Sequence, residues 1–322
     1  MMNSIGEIAR ELNSRDDWLL LGHMLPDGDC IGSLLGLALG LEELGKRVQI
    51  LQAEPLPHNY LYLQGIELFK PLEQISMDFS GLIYLDCSDL GRVHDTVREW
   101  AAGLTVPTIN IDHHPTNDRF AHYNYVDPQA AATGEIITEL LQALNVALNP
   151  GMAQALYAAL LMDTGGFLNG STTSRTMRTA ALLLEKGVDV NSARINLFES
   201  KSREEMYLLR LALQRLNFSP DGRIACMLLP YAELVKIGAV DLNPEGLINY
   251  TRMIEGVEVG VLLREISPGV IKIGWRSKGG VDVAALAQKF GGGGHRQAAG
   301  ARLPGTLDEV QKTVFDAIEE VM

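Results

Sequence analysis

The chain has 322 residues, 47% of them hydrophobic and 21% charged, a balance that excludes a disordered or fibrous protein and leaves room for two domains. Lys plus Arg number 27 against 40 Asp plus Glu, and the net charge of −13 argues against tight, non-specific binding to long duplex DNA. No uninterrupted apolar stretch reaches the roughly 18 to 20 residues that cross a bilayer, and residues 1–17 are too polar for a signal peptide, so a cytoplasmic protein without membrane contact is expected.

In the first half, apolar runs alternate with helix-period segments. Trp18–Leu21 is followed by a helix from about Cys30 to Leu44, then by Val48–Leu51, Leu82–Leu85 and Val106–Ile111. This rhythm predicts an α/β fold, a parallel sheet with crossover helices. Thr133–Leu144, Met152–Met162 and Thr176–Glu185 read as further helices, the last stopped at Gly187. We place a first domain at 1–190 and a charge-rich helical linker at 191–218, where Glu204, Glu205, Arg210 and Arg215 stand among leucines. After the turn signal Pro220-Asp221-Gly222 a smaller mixed α/β domain, 219–322, carries strands at Ile224–Leu229, Val257–Glu265 and Val270–Trp275 and a helix near Val283–Phe290. Cys30, Cys87 and Cys226 form no C-x-x-C pair, so neither a disulfide framework nor a zinc knuckle is indicated, and Cys30 and Cys87 read as small core residues.

Three of the apolar strands end on metal-capable residues: His23, Asp86, and the run Asp112-His113-His114. Ligands of open parallel sheets sit outside the carboxyl ends of the strands, so these endings should share one crevice. The first ending continues into Asp27-Gly28-Asp29, and Asp163 follows an apolar helix just before Thr164-Gly165-Gly166. Asp27, Asp29, Asp86 and Asp163 in one pocket would repel by roughly 4 kcal/mol per pair at about 4 Å and an effective dielectric of about 20. Two divalent cations would relieve that repulsion. A donor set of carboxylate oxygen with imidazole nitrogen suits Mn²⁺ best, with Mg²⁺, Co²⁺ or Fe²⁺ as other candidates. Taken singly, an Asp at a strand end is more often a helix cap or turn residue. The joint pattern outweighs that reading.

The ordered set His23-x-x-Pro-Asp27-x-Asp29-x-x-Gly32-Ser33, Asp86, Asp112-His113-His114 and Asp163-Thr164-Gly165 resembles the motifs of the DHH phosphoesterase superfamily. Gly292-Gly293-Gly294-His295 resembles the signature of its associated C-terminal domain. Together the two halves resemble the group acting on nanoRNA and on 3′-phosphoadenosine 5′-phosphate. The resemblance implies that His23, Asp27 and Asp86 hold one metal and that Asp29, Asp86, His113 and Asp163 hold the other, with Asp86 shared. It further implies that His114 faces the substrate phosphate, that Asp112 orients an imidazole, and that Arg276 and Ser277 contact nucleotide. Ala132 stands where many relatives carry serine, which removes any substrate contact that hydroxyl would make.

The glycine run 291–294 lacks the Lys-Ser/Thr ending of a P-loop, so it is read either as a flexible connection or as bare backbone approaching a phosphate; His295 and Arg296 favour the second. The expected reaction is in-line hydrolysis of a phosphodiester or terminal phosphomonoester by a water acidified by both ions, without a covalent intermediate. Short RNA oligonucleotides or small nucleotides are the expected substrates, and relatives suggest a homodimer. A manganese-dependent inorganic pyrophosphatase shares the N-terminal motifs, but the Gly-Gly-Gly-His segment counts against it. A processive single-strand exonuclease would call for more chain and a basic track. A non-catalytic nucleotide sensor would be expected to have lost a ligand, and none is missing.

Overall fold

The computed structural model describes residues 2–242 and 246–322. The chain divides into two compact units, Met1–Ser200 and Lys201–Met322. Residues 191–218 fall on both sides of that division: helix Val190–Phe198 lies in the first unit, and helix Arg203–Gln214 lies in the second.

The first unit is built on six parallel strands, β1 (Asp17–Leu21), β2 (Arg47–Gln52), β3 (Phe69–Pro71), β4 (Gly81–Leu85), β5 (Thr108–Asp112) and β6 (Tyr123–Val126). Their order is β3-β2-β1-β4-β5-β6, so the direction of winding reverses between β1 and β4. A crevice opens at such a reversal, beyond the carboxyl ends of the two strands, because their connections leave to opposite sides. The apolar runs are continuous because both faces of the sheet are covered. Trp18, Leu20, Ile83 and Leu85 feed one core, whereas Leu19, Leu21, Leu82 and Tyr84 feed the other. Cys30 and Cys87 are buried, one in each of these cores.

Two apolar helices, Gly28–Glu43 and Pro150–Asp163, lie side by side in the first of these cores. A Cβ on Gly32 would come within 2.3 Å of the Ala155 carbonyl oxygen, and one on Gly28 within 2.3 Å of Met162 Cγ. Bare glycine therefore lets the backbones approach, with the start of one helix beside the end of the other. That antiparallel contact sets Asp29, in the first turn of one, near Asp163, the last residue of the other.

The second unit has a mixed sheet, ordered β11-β12-β10-β9-β8-β7, made of β7 (Leu216–Phe218), β8 (Ile224–Leu229), β9 (Val259–Ser267), β10 (Val270–Ser277), β11 (Gly293–His295) and β12 (Ala298–Pro304). Only β8 and β9 run parallel among its described pairs. Its core gathers Val261, Ile273 and Trp275 with helices Val283–Lys289 and Leu307–Glu319, and Trp275 stacks on Phe290 with ring centroids 6.0 Å apart. Among the described residues no helix is long and apolar enough to cross a membrane.

Candidate metal centre

Asp86 sits at the reversal point, directly after β4, with φ +58. A non-glycine residue in the left-handed region costs energy and persists where its surroundings hold it. Here its N–H donates to the Ile111 carbonyl at 3.1 Å, and its carboxylate Oδ1 accepts from Thr133 Oγ1 at 2.9 Å. The side chain is almost fully buried, and its two oxygens face different histidines. Oδ2 lies 3.4 Å from His23 Nε2, and Oδ1 lies 3.7 Å from His113 Nε2 and 3.6 Å from His114 Nδ1.

His23 and His113 are oriented alike. His23 Nδ1 lies 2.7 Å from the Met24 carbonyl and His113 Nδ1 lies 3.3 Å from the Ala130 carbonyl; since a carbonyl only accepts, each Nδ1 is the donor. Each Nε2 is thereby turned toward carboxylates. His23 Nε2 is buried without a hydrogen-bond partner among the described residues, 3.8 Å from Asp27 Oδ1 as well as 3.4 Å from Asp86. His113 Nε2 lies 3.3 Å from Asp163 Oδ2 and 3.8 Å from Asp29 Oδ2. A neutral imidazole nitrogen facing carboxylate oxygens needs a cation or a proton between them. A backbone carbonyl behind each ring and acidic oxygens ahead is the arrangement that fixes a histidine tautomer for metal binding. The donors present therefore fit divalent ions, His23 with Asp27 and Asp86 on one side, and His113 with Asp29, Asp86 and Asp163 on the other. Cys30, buried one turn beyond Asp27, also brings its sulfur within 4.8 Å of ligand atoms of His23 and Asp86.

Asp27 combines two functions that the sequence sets against each other. It is the N-cap of helix Gly28–Glu43, its Oδ1 accepting from the N–H groups of Asp29 and Cys30 at 3.0 and 3.1 Å, and it still lines the pocket. Asp29 is 1% exposed, and its oxygens accept from Thr133 N at 2.6 Å, Gly134 N at 2.9 Å and Ser33 Oγ at 3.1 Å. Thr133 and Gly134 open helix Thr133–Ala143, whose own N-cap position is the bare Ala132. Asp29 supplies from a distant helix the acceptor that a serine at 132 would offer locally.

His114 takes a different partner. Its Nδ1 lies 2.8 Å from Asp112 Oδ1, and Asp112 is fully buried, with Oδ2 accepting from Asn117 Nδ2 at 2.7 Å. Asp112 thus orients His114, not His113.

The protonation pattern reflects this crowding. Burial, reinforced by the charges of Asp86, Asp163 and Asp27, pushes Asp29 well above the usual carboxylate range. Burial also lifts Asp163 to about 6, with Asp86 and Asp27 adding to it and His113 opposing. Burial works to lower His23, yet Asp27 and Asp86 outweigh it and raise the imidazole to about 10. Without cations, protons are retained where the ions would sit.

The expected substrate contacts other than His114 lie in the second unit. The glycine run is neither a loose connection nor a helix start: Gly293–His295 is a strand paired antiparallel to β12. Two of the glycines are required by closeness, since a Cβ on Gly292 would meet the Gly300 oxygen at 2.1 Å and one on Gly294, at φ +145, the Ala298 oxygen at 2.5 Å, whereas one on Gly293 would meet nothing within 4 Å. The side chain of His295 lies outside the described residues. In register, Arg276 is opposite Ala298, and Ala298 is opposite His295, so the expected contacts form one row across three strands. Arg276 Nη1 donates to the Trp275 carbonyl at 3.0 Å. Ser277 departs from expectation: it is 1% exposed and its hydroxyl accepts from Gly279 N at 3.0 Å and Val281 N at 3.4 Å, which makes it the organiser of the following turn.

Thr133 and Asn117 carry no sequence signal of their own and Ser33 stands in the motif without a role there, yet all three hold site carboxylates. The clue for Thr133 was its place at the start of a helix lacking a cap of its own.

A doubly wound sheet carrying a histidine-carboxylate centre at its reversal point is the frame of the DHH phosphoesterases, and the comparisons agree. Residues 18–161 match the DHH family, N-terminal domain, and residues 241–322 match the DHHA1 domain. The chain belongs to the DHH family. A protein of Thermus thermophilus named bifunctional oligoribonuclease and PAP phosphatase NrnA is 34% identical over 306 residues, 92% of this chain and 88% of the relative. A crystal structure of an exopolyphosphatase-related protein from Bacteroides fragilis superposes with a TM-score of 0.90 at 26% identity, covering 98% of this chain and 95% of that one. The exonuclease RecJ bound to manganese shares the fold at 16% identity, with a TM-score of 0.52 and coverage of 99% and 94%.

Proposed function

We propose that this chain hydrolyses short oligoribonucleotides and 3′-phosphoadenosine 5′-phosphate with a pair of divalent ions, Mn²⁺ preferred, in the cytoplasm. The observation that carries the reading is the position of Asp86 between His23 and His113, each with its Nε2 turned toward that carboxylate. The Thermus relative's name supports the substrate class, and the DHHA1 match weighs against an inorganic pyrophosphatase.

When bound, the two ions supply Lewis acidity toward the attacking water and the phosphate oxygens. His23, Asp27, Asp29, His113 and Asp163 would hold them with Asp86 shared, and the burial of His23, Asp29 and Asp86 strengthens their attraction for the ions, while Asp27 and Asp163 stay partly exposed. Against the effect of burial, Asp112 favours the imidazolium form of His114, so that a ring N–H can donate to a phosphate oxygen. Arg276, through its guanidinium charge, and the strand Gly293–His295, through backbone left uncovered by side chains at Gly293 and Gly294, hold the nucleotide.

The test is hydrolysis of a dinucleotide, a short RNA, 3′-phosphoadenosine 5′-phosphate and pyrophosphate, with Mn²⁺, for the native chain and Asp86→Ala. Turnover of the nucleotide substrates and not of pyrophosphate is expected, with all turnover lost in the variant. Tight nucleotide binding without hydrolysis would make the protein a sensor; retained activity in the variant would refute the shared ligand.

A further inference from the structure

Asp86 can serve both sides of the centre only if its carboxylate plane is fixed. The backbone hydrogen bond to Ile111 does not ensure that, because the side chain can still rotate. The group that fixes it is Thr133, which is fully buried and touches two of the acids at once. Its hydroxyl donates to Asp86 Oδ1 at 2.9 Å, and its backbone N–H donates to Asp29 Oδ2 at 2.6 Å. A carboxylate is an acceptor only, so the hydroxyl proton is committed to Asp86. With Oδ1 so held, Oδ2 is directed at His23 Nε2.

The loop that presents Thr133 is itself anchored. Glu135 is fully buried; its Oε2 accepts from Ala131 N at 3.0 Å and Thr176 Oγ1 at 3.1 Å, and its Oε1 lies 3.1 Å from Arg175 Nε. Arg175 also forks onto Glu139 at 2.7 and 2.9 Å and reaches Asp127 Oδ2 at 2.6 Å. Both ends of segment 127–135 are thus tied independently of the Thr133 side chain.

We infer that Thr133 is a positioning residue for the shared ligand: its hydroxyl sets the rotation of Asp86 so that one carboxylate serves both ions. The inference rests on the two-ion reading above. Deleting the hydroxyl leaves the backbone grip on Asp29 and frees only Asp86. Both ions therefore bind more weakly, because the ligand they share loses its direction. A partner of this kind, one bond removed from the metal, is worth roughly 10–100-fold in metal affinity.

The experiment is an equilibrium titration of the metal-free full chain with Mn²⁺, reading unbound Mn²⁺ by its electron paramagnetic resonance signal, with thermal unfolding of the metal-free proteins alongside. Thr133→Val, equal in shape, should bind Mn²⁺ about 10–100-fold more weakly, and Thr133→Ser should return to within about threefold of the native affinity. Thr133→Ala replaces the valine variant if the latter does not fold. Native-like affinity without the hydroxyl, or a serine variant as weak as the valine one, would overturn the inference. If the native chain itself binds no Mn²⁺, the two-ion reading fails, which is a separate outcome.

Discussion

The two sheets place their chemistry in different parts of the chain. At the reversal point of the parallel sheet the working groups are side chains, and each is held by hydrogen bonds from elsewhere: Asp29 by Thr133, Gly134 and Ser33, Asp112 by Asn117 and His114, Asp86 by Thr133. At the β10–β12–β11 edge of the second sheet the distinctive feature is an absence of side chains, with Gly292 and Gly294 packed against the carbonyls of Gly300 and Ala298. The first arrangement suits ions, which need several donors aimed at one point. The second lets one stretch of backbone press against another where a Cβ would not fit.

That contrast can be broken by a substitution in the hairpin. Gly294→Ala puts a Cβ 2.5 Å from the Ala298 carbonyl oxygen at a φ of +145, so the hairpin must shift. If the two regions divide the labour as proposed, KM for a dinucleotide should rise about 10–100-fold while Mn²⁺ affinity stays native. Equal losses in both measurements would show that the hairpin acts on the centre and not on the substrate.

A smaller and graded effect sharpens the comparison from the other side. Asp29 is raised above the carboxylate range and Asp163 to about 6, so their protonated forms favour the folded, metal-free state. That contribution is fully present below the unfolded value, near 3.8 for Asp163, and is lost as pH rises through about 6. His23, raised to about 10, contributes below its ordinary 6.5 and loses that contribution as pH climbs toward 10. The metal-free protein should therefore lose thermal stability between about pH 5 and 8, and the gain in Tm on adding Mn²⁺ should widen over the same range. Comparing melts in chelator and in Mn²⁺ across that range checks the sign; a gain that shrinks as pH rises contradicts it.

Much of the first sheet could be read before the fold was known. β1 and β4 are covered on both faces and appear as unbroken apolar runs, β2 and β5 are interrupted only by Gln49 and by Asn110, and His23, Asp86 and Asp112, at or just beyond the ends of β1, β4 and β5, stood out because an ionisable residue ends each run. The edge strands were hidden. β3, Phe69–Pro71, is only three residues long, and Tyr-Asn-Tyr-Val in β6 carries a buried Asn124 that breaks the apolar signal. β11 was invisible because glycine is depleted in strands, and here closeness to a neighbouring carbonyl, not propensity, selects it. Thr133 escaped for a related reason: one of its two contributions to the site is its own backbone amide, which acts on Asp29 beside that of Gly134, and amides leave no mark on residue type. Ser277 was expected at a nucleotide from the resemblance alone, and residue type gives no sign that its hydroxyl is taken up by the turn that follows.

The central claim is that one buried carboxylate is shared by two cations. Counting Mn²⁺ bound per chain at saturation, for the native protein and for Asp86→Ala, tests it most directly. The account predicts two ions in the native chain and loss of tight binding of both in the variant. A single ion in the native chain, or a variant that still binds two, would contradict it.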